Sequence, residues 1–208
     1  MFSKIQYISQ GNTALEQETN IRNALQAGAD WIQLRWKEGN EDQLLTLAIC
    51  IKQLCFQYGA KLIINDHVHI AKAVDATGVH LGLTDSSILD ARLLLGSKKI
   101  IGGTANSLSD VQQRIAENCD YIGLGPLRFT STKEKLSPIL GFTGYQEIIQ
   151  NLRTEGTDYP PIFAIGGILL EDITLLQEMG IYGVALSGLI TKQPQLIQEL
   201  KNKLEWIL

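Results

Sequence analysis

Residues 120–133 read DYIGLGPLRFTSTK and show in one stretch the layout on which the fold depends. An apolar, strand-like run ends at Gly125 and Pro126, and two threonines and a lysine follow it. Hydroxyl and ammonium groups gathered just beyond a strand suit a phosphate oxyanion. The rest of the chain repeats this layout, with apolar runs that end in polar residues able to bind phosphate, metal or both.

Short apolar runs alternate along the chain with longer segments of helical spacing. The strand-like runs are residues 4–9, 31–36, 61–65, 78–82, 99–104, 121–125, 161–167 and 183–188. The amphipathic segments include residues 13–27, 41–58, 108–117 and 195–208. Eight units of about 26 residues predict an α/β fold, the compact TIM (β/α)8 barrel. A doubly wound open sheet is the alternative, but polar ends on nearly all eight strands need one shared mouth rather than one crevice.

Composition supports a single folded unit. Of the 208 residues, 45% are hydrophobic, which is enough for a substantial core. No linker rich in proline, glycine or serine divides the chain, so we expect one catalytic domain over residues 1–208. The only segments expected to have little regular structure are the loops at residues 128–141 and 155–160.

Several classes of protein are disfavoured by charge and by the apolar pattern. The net charge of -4 and the lack of a basic run argue against a nucleic-acid partner. No apolar segment is long enough for a membrane span or a signal peptide, which predicts a cytoplasmic protein. The three cysteines are odd in number, and Cys50 and Cys55 do not share a helix face, so neither disulfides nor a zinc site is expected. We expect small-molecule substrates, and a homo-oligomer is compatible with the sequence.

The second run ends in QLRWK and offers three polar side chains to the mouth of the barrel. Strand alternation places Gln33, Arg35 and Lys37 on one side and the intervening Leu34 and Trp36 on the other. An arginine and a lysine at this position suit a diphosphate. The alternative is an edge strand with a solvated polar face.

Carboxylates follow the third and fourth runs. Asn65 and Asp66 end the third, and Asp85 follows the fourth. Asn65 and Asp66 suit the N-cap of the next helix equally well. Two carboxylates from adjacent strand ends favour instead a Mg²⁺ site on Asp66 and Asp85, because Mg²⁺ is commonly held by one or two carboxylates plus substrate phosphates.

The remaining polar candidates lie on later strands. Thr104, at the end of the fifth run, offers a hydroxyl to the mouth, while Ser107 is a good helix N-cap. His80 lies in mid-strand and is expected to be a packed core residue, and no role is assigned to His67 or His69. Glycines follow the seventh and eighth runs, where a phosphate is frequently bound in such barrels, although tight turns alone also explain glycine there.

The order of these motifs resembles the thiamine-phosphate synthase family. QLRWK, IND, GVHLGLTD, DYIGLGPLRFTSTK, AIGGI and GVALSG carry the resemblance over nearly the whole chain. Its most specific part is the Gly-Pro followed by Thr-x-Thr-Lys. The resemblance implies a transferase that joins a hydroxymethylpyrimidine diphosphate to a hydroxyethylthiazole phosphate, with Mg²⁺ as cofactor and release of pyrophosphate.

The resemblance also implies residue roles. The pyrimidine diphosphate would bind to Gln33, Arg35, Lys37, Asn65, Thr104 and Lys133. Mg²⁺ would bind to Asp66 and Asp85. The thiazole phosphate would bind to Thr130, Ser131, Thr132, Gly167, Ser187 and Gly188. Lys133, Arg35 and Thr104 would act in catalysis, by a dissociative reaction that needs no nucleophilic side chain.

The chain departs from the family pattern at four places. Arg128-Phe129 replaces an aromatic residue and a proline, and Arg128 is expected either to contact a phosphate or to face solvent. Thr104 replaces a serine, Leu83 a glutamine, and Ser187-Gly188 an aliphatic residue and a serine. The last change puts a side-chain contact to the thiazole phosphate in doubt, whereas backbone contacts would remain.

Two alternative functions stay open. The related thiazole tautomerase shares the barrel but needs a histidine near the end of the fifth strand, and residues 104–107 contain none. A catalytically silent barrel that binds a phosphorylated ligand as a regulator is the other. The charged residues for a diphosphate and a metal would be superfluous in such a protein.

Overall fold

Strands and helices alternate throughout the computed structural model, which describes residues 2–129, 138–156 and 158–205. The strands are β1 (Ile5–Ile8), β2 (Trp31–Leu34), β3 (Lys61–Asn65), β4 (Gly78–Leu81), β5 (Ile100–Ala105), β6 (Tyr121–Leu124), β7 (Ile162–Ile165) and β8 (Gly183–Leu186). The helices are α1 (Ala14–Gln26), α2 (Glu41–Gln57), α3 (Val68–Ala73), α4 (Ile88–Leu95), α5 (Leu108–Ala116), α6 (Gly141–Thr154), α7 (Ile173–Met179), α8 (Gly188–Lys192) and α9 (Leu196–Glu205). A 3-10 turn, Leu170–Asp172, precedes α7.

The sheet is a closed barrel in which each strand pairs in parallel with its neighbours in sequence and β8 pairs with β1. This confirms the predicted TIM (β/α)8 barrel and excludes the open sheet. It also shows that the edge-strand alternative for β2 is wrong, because β2 pairs with β1 on one side and β3 on the other.

Most strands are shorter than the runs predicted from the sequence, because the hydrogen bonds between neighbouring strands end before the predicted run does. β4 stops at Leu81, and the N–H of the next residue, Gly82, donates to a carboxylate oxygen of Asp85 at 2.6 Å rather than to a strand. β2 stops at Leu34, so Arg35 and Lys37 follow the strand instead of belonging to it.

Local capping explains where several helices begin. Thr13 and Asn40 each form a capping box with the residue three positions later, at the starts of α1 and α2. Ser107 caps α5 as predicted, since its hydroxyl accepts from the N–H of Asp110. No described helix combines the length and the apolar character needed to cross a membrane.

The core has two parts. The larger part fills the space between the outer face of the sheet and the helices. The smaller part closes the interior of the barrel near the starts of its strands; we call it the aromatic floor, and it consists of Trp31, Ile63, Tyr121 and Phe163. The Trp31 ring meets the Tyr121 and Phe163 rings edge-on, with centroids 4.9 and 5.1 Å apart.

Gly102 on β5 makes room for this packing. A Cβ atom at this position would lie 2.1 Å from the Tyr121 ring, so only glycine fits beside the tyrosine. The bulky residues of the aromatic floor therefore require small neighbours on the adjacent strands. The polar residues nearer the mouth lie on top of this closely packed layer.

The aromatic floor should contribute strongly to stability. We expect Phe163→Ala to lower the free energy of unfolding by about 3–5 kcal/mol, because Phe163 is completely buried and its loss leaves a cavity. Phe56→Ala is the matched control: Phe56 is 82% exposed, so its removal should change stability by less than about 0.5 kcal/mol. Urea denaturation would measure both, and equal effects would contradict the role of the floor.

Candidate active site

A pair of amide side chains lies inside the barrel on β2 and β3. Gln33 and Asn65 are both buried, and Gln33 Nε2 donates to Asn65 Oδ1 at 2.8 Å. Gln33 Oε1 is buried and has no hydrogen-bond partner among the described residues. A buried acceptor left unpaired costs about 1–3 kcal/mol, so this oxygen is available to a ligand donor.

A chain of hydrogen bonds crosses the interior above the aromatic floor. Gln6 Nε2 donates to the Tyr121 hydroxyl at 3.1 Å, and that hydroxyl lies 3.0 Å from His80 Nδ1. His80 Nε2 lies 3.0 Å from the Thr104 hydroxyl. His80 is thus a buried interior residue, as predicted, but it also fixes the side chain of Thr104. No local pattern in the sequence indicates a role for Gln6 or Tyr121.

The two carboxylates predicted to bind a metal are neighbours at the mouth. The Asp66 and Asp85 carboxyl groups lie close enough to influence each other's pKa, and Lys37 Nζ forms an ion pair with Asp66. Burial and the adjacent Asp85 carboxyl raise the pKa of Asp66, while Lys37 acts in the opposite direction. Burial also acts to raise the pKa of Asp85, but the adjacent Asp66 carboxyl and the N–H of Gly82 lower it overall.

The backbone at Asp66 shows that this residue does not cap a helix. Asp66 has φ = 64°, a left-handed conformation that is uncommon for a residue with a side chain. The N-cap of α3 is His67, which makes no side-chain cap hydrogen bond, while Asn65 belongs to β3. The capping alternative is therefore wrong for both residues. Such backbone conformations persist where the surrounding structure enforces them, often at functional sites.

A buried arginine on α5 positions the ends of two strands. Arg114 is 3% exposed; its Nε donates to the Thr104 carbonyl and its Nη2 to the Gly82 carbonyl, each at 3.0 Å. Gly82 in turn donates its N–H to Asp85. Arg114 thus connects the backbone that carries the Thr104 hydroxyl with the turn that carries Asp85. This role could not be predicted from the sequence, because one arginine in an amphipathic helix resembles a solvent-facing residue.

The loops after β6 and β7 are joined by an ion pair. Arg128 donates through both terminal nitrogens to Asp172, with Nη2 2.7 Å from Oδ1. The guanidinium of Arg128 is thus bound to a carboxylate, a partner that neither expectation for this residue included. A phosphate contact of Arg128 stays a prediction. Asp172 was not considered, because it lies 44 residues further along the chain.

The other predicted residues are less closely connected. Arg35 is half-buried, and its N–H donates to the Ser9 hydroxyl at 2.9 Å. Gly167 has φ = 70° in the turn after β7, and Ser187 and Gly188 lie where β8 gives way to α8. Ser187 makes no side-chain cap hydrogen bond. Thr130, Ser131, Thr132 and Lys133 lie outside the described residues.

The metal prediction rests on two carboxylates only. Within residues 2–129, 138–156 and 158–205, no group of three or more His, Cys, Asp or Glu side chains could hold a metal ion. A cation at Asp66 and Asp85 would therefore need further oxygen ligands from water or substrate, as Mg²⁺ commonly does.

The closed parallel barrel, with amides and a hydroxyl on the last residues of its strands and carboxylates just beyond them, defines a TIM-barrel enzyme whose site lies at the mouth of the barrel. Residues 7–190 match the family model described as thiamine monophosphate synthase. The chain therefore belongs to the thiamine monophosphate synthase family, which confirms the resemblance seen in its motifs.

Individual relatives agree with this assignment. The thiamine-phosphate synthase of Flavobacterium psychrophilum is 55% identical over 207 residues, which cover 98% of this chain and 100% of that protein. The enzyme of Flavobacterium johnsoniae is 53% identical over 98% of this chain and 97% of its own length. The solved thiamine phosphate pyrophosphorylase from Pyrococcus furiosus superposes with a TM-score of 0.81 at 25% identity, covering 97% of this chain and 96% of that one.

Crowding of the two carboxylates predicts a measurable effect on stability. When a carboxyl group has a higher pKa in the folded chain than in the unfolded chain, the folded state loses stability as the pH rises. The loss begins at the ordinary pKa of 3.8 and is complete above the raised pKa. Asp66→Asn removes this penalty and suits the left-handed backbone, so it should raise the thermal unfolding midpoint at pH 7. The gain should vanish below about pH 3.8.

Asp75→Asn is the matched control. Asp75 also has a positive φ, 49°, but its hydrogen bond with Lys99 lowers its pKa. Its replacement should leave the midpoint at pH 7 unchanged or lower it. A midpoint that falls on Asp66→Asn would contradict the interpretation of the carboxylate pair.

Proposed function

We propose that this chain is a transferase that joins 4-amino-5-hydroxymethyl-2-methylpyrimidine diphosphate to hydroxyethylthiazole phosphate, giving thiamine phosphate and pyrophosphate. The observation that carries the proposal is the 55% identity to a thiamine-phosphate synthase over 98% of this chain. The geometry of the mouth supports it, because two phosphorylated substrates need many donors and balanced charge in one place.

The pyrimidine diphosphate would bind above the aromatic floor. The free Oε1 of Gln33 suits the amino group of an aminopyrimidine, and Asn65 holds Gln33 in place. The Thr104 hydroxyl, positioned by His80, would contact the same substrate. Arg35, Lys37 and Lys133 would supply positive charge to the diphosphate, as the family resemblance implies.

Mg²⁺ would be held by Asp66 and Asp85. These residues fit a cation because two carboxylates lie in contact and the pKa of Asp66 is raised by burial and by that contact. A bound cation would remove this repulsion and neutralise charge on the diphosphate. Lys37, already paired with Asp66, lies beside the same site.

The thiazole phosphate would bind at the turns after β6, β7 and β8. Gly167 and Gly188 would contribute backbone N–H groups, and Ser187 its hydroxyl or backbone. Thr130, Ser131 and Thr132 complete this set on the strength of the sequence alone. Thr130 follows Arg128 by two residues, so the described ion pair lies at the start of that loop.

The proposed reaction is dissociative. The bond between the pyrimidine methylene carbon and the diphosphate oxygen breaks, and the electron pair leaves with pyrophosphate. The thiazole nitrogen then donates its pair to the resulting cation and forms the new C–N bond. Arg35, Lys37 and Lys133 would stabilise the charge on the leaving group. Exclusion of water by the barrel interior would protect the cation from hydrolysis.

The proposed partners are these two small molecules. A cytoplasmic location and a homo-oligomer stay predictions from the sequence. The tautomerase alternative needs a histidine near the end of the fifth strand; β5 contains none, and the buried His80 belongs to β4.

The direct test supplies purified protein with Mg²⁺ and both substrates. We expect release of pyrophosphate and formation of thiamine phosphate, with a loss of at least about 100-fold for Lys133→Ala and for Asp85→Ala. Lys98→Ala and Asp158→Ala are matched controls. Both residues are exposed and lie just before a strand, Lys98 before β5 and Asp158 before β7, at the end of the barrel opposite the mouth. Isomerisation of a thiazole carboxylate without coupling would favour the tautomerase, and binding without turnover would favour a regulator.

The metal site has its own test, independent of turnover. At concentrations about 100-fold above Kd, Mg²⁺ with inorganic pyrophosphate should raise the unfolding midpoint of the wild type by about 5–10 °C. EDTA should reverse the rise. Asp85→Asn should lose most of it, because one of two protein ligands is gone. An equal rise in this variant would contradict metal binding at Asp66 and Asp85.

A further inference from the structure

Arg128, in the short described segment directly after β6, is held against the turn that follows β7 by its ion pair with Asp172. Asp172 is only 3% exposed in its side chain, whereas Arg128 is 40% exposed. A buried carboxylate without a partner is costly, so Asp172 depends on this contact. The planar guanidinium engages both carboxylate oxygens, a geometry that lysine cannot reproduce.

Asp172 is also tied to its own turn. Its Oδ2 accepts from the N–H of Leu169 at 2.8 Å, which closes the 3-10 turn before α7. Burial acts to raise the pKa of Asp172, but the hydrogen bonds from Arg128 and Leu169 outweigh it and lower the pKa. Asp172 is therefore a charged residue that stabilises the turn after β7 and binds the side chain of Arg128, which follows β6.

Arg128 makes further contacts that fix the backbone after β7. Its Nη1 donates to the Gly167 carbonyl at 3.0 Å, and its own N–H donates to the Gly166 carbonyl at 3.1 Å. The guanidinium lies 5.3 Å from the centre of the Phe142 ring on α6. A Cβ atom on Gly167 would lie 2.8 Å from Arg128 Cβ, so the two loops are in close contact.

These contacts set the orientation of two peptide groups. Because a trans peptide is planar, a carbonyl directed at Arg128 turns the following N–H to the opposite side. The carbonyls of Gly166 and Gly167 are so directed, which orients the N–H groups of Gly167 and Ile168 away from Arg128. Neither N–H donates a hydrogen bond within the described parts of the chain. Gly166 and Gly167 have φ = 81° and 70°, a left-handed region that glycine adopts without strain. Two adjacent backbone N–H groups without a protein acceptor can together bind an anion.

We propose that Arg128 and Asp172 are positioning residues for the acceptor phosphate: their ion pair holds the peptide groups at Gly167 and Ile168 in the orientation that binds it. The inference deepens the proposed function and rests on it. Arg128 acts through the backbone of the β7 turn and does not touch the phosphate itself.

Steady-state kinetics of four variants test this proposal: Arg128→Gln, Arg128→Lys, Asp172→Asn and the double variant Arg128→Gln with Asp172→Asn. Arg128→Gln and Asp172→Asn should each raise KM for the thiazole phosphate about tenfold. KM for the pyrimidine diphosphate and kcat at saturation should change less than about threefold. Arg128→Lys should lie in between, because lysine keeps the charge but not the two parallel hydrogen bonds.

Asp172→Asn separates positioning from direct contact. If Arg128 bound the phosphate itself, release from Asp172 would leave KM for the thiazole phosphate unchanged or lower it, and that result would overturn the proposal. Arg22→Gln is the matched control, because Arg22 forms a surface ion pair with Glu18 on α1. Its KM values should equal those of the wild type.

The double variant separates positioning from loss of stability. Arg128→Gln leaves a buried carboxylate unpaired, so its unfolding midpoint should fall, and the second substitution should restore much of it. KM for the thiazole phosphate should stay raised in the double variant, whereas a merely structural role predicts that it recovers with the midpoint. A wild type without turnover would refute the proposed function; active wild type with unchanged KM in Arg128→Gln would refute only this inference.

Discussion

Pairing of β1 with β8 completes the hydrogen bonding of a sheet that would otherwise have two open edges. Ile5 and Tyr7 lie opposite Val184 and Leu186, and the N–H of Val184 donates to the Lys4 carbonyl at 2.9 Å. Closure leaves no strand edge in water, and the parallel pairing of neighbouring strands places the carboxyl ends of all eight at one rim. Residues that are more than 100 positions apart in sequence therefore become neighbours there.

The rim is kept in shape by groups that do not face it. Arg114 satisfies two carbonyls from the helix side, and Arg128 does the same across the turn after β7. Both arginines bind carbonyl oxygens as well as carboxylates. Buried carbonyl groups at strand ends need donors, and a guanidinium can serve several at once. The charged residues that organise this end of the barrel are thus partly distinct from those expected to bind substrate.

Much of the fold and part of the site could be predicted from the sequence. The eight apolar runs predicted the barrel correctly, because the pattern that marks a strand lies within a few neighbouring residues. Gln33, Asn65, Asp66, Asp85 and Thr104 could be placed at the mouth, because each lies at or just beyond a strand end. Lys37 lies beyond the end of β2 and forms an ion pair with Asp66, which the sequence did not indicate. Its contact with a diphosphate stays a prediction.

What the sequence could not show were partners across long separations. Gln6 and Tyr121 are 115 residues apart and meet only inside the closed barrel. Arg128 was judged by its neighbours in sequence, whereas its role is set by a carboxylate 44 residues later. Asn65 and Asp66 had the right chemistry for a helix cap, but the left-handed backbone at Asp66 removes that function. The first two misses concern contacts for which no local pattern exists, and the third concerns a backbone conformation that the residue types do not reveal.

Tyr121 belongs to two environments at once. Its ring packs against Trp31 and Phe163 in the aromatic floor, while its hydroxyl joins Gln6 to His80 and through it to Thr104. One side chain therefore belongs both to the hydrophobic base of the barrel and to the polar network near its mouth. Any redesign of substrate preference that enlarges or repolarises the space around Thr104 will be transmitted to the hydrophobic packing beneath it. The depth to which this site can be remodelled is limited by one tyrosine ring.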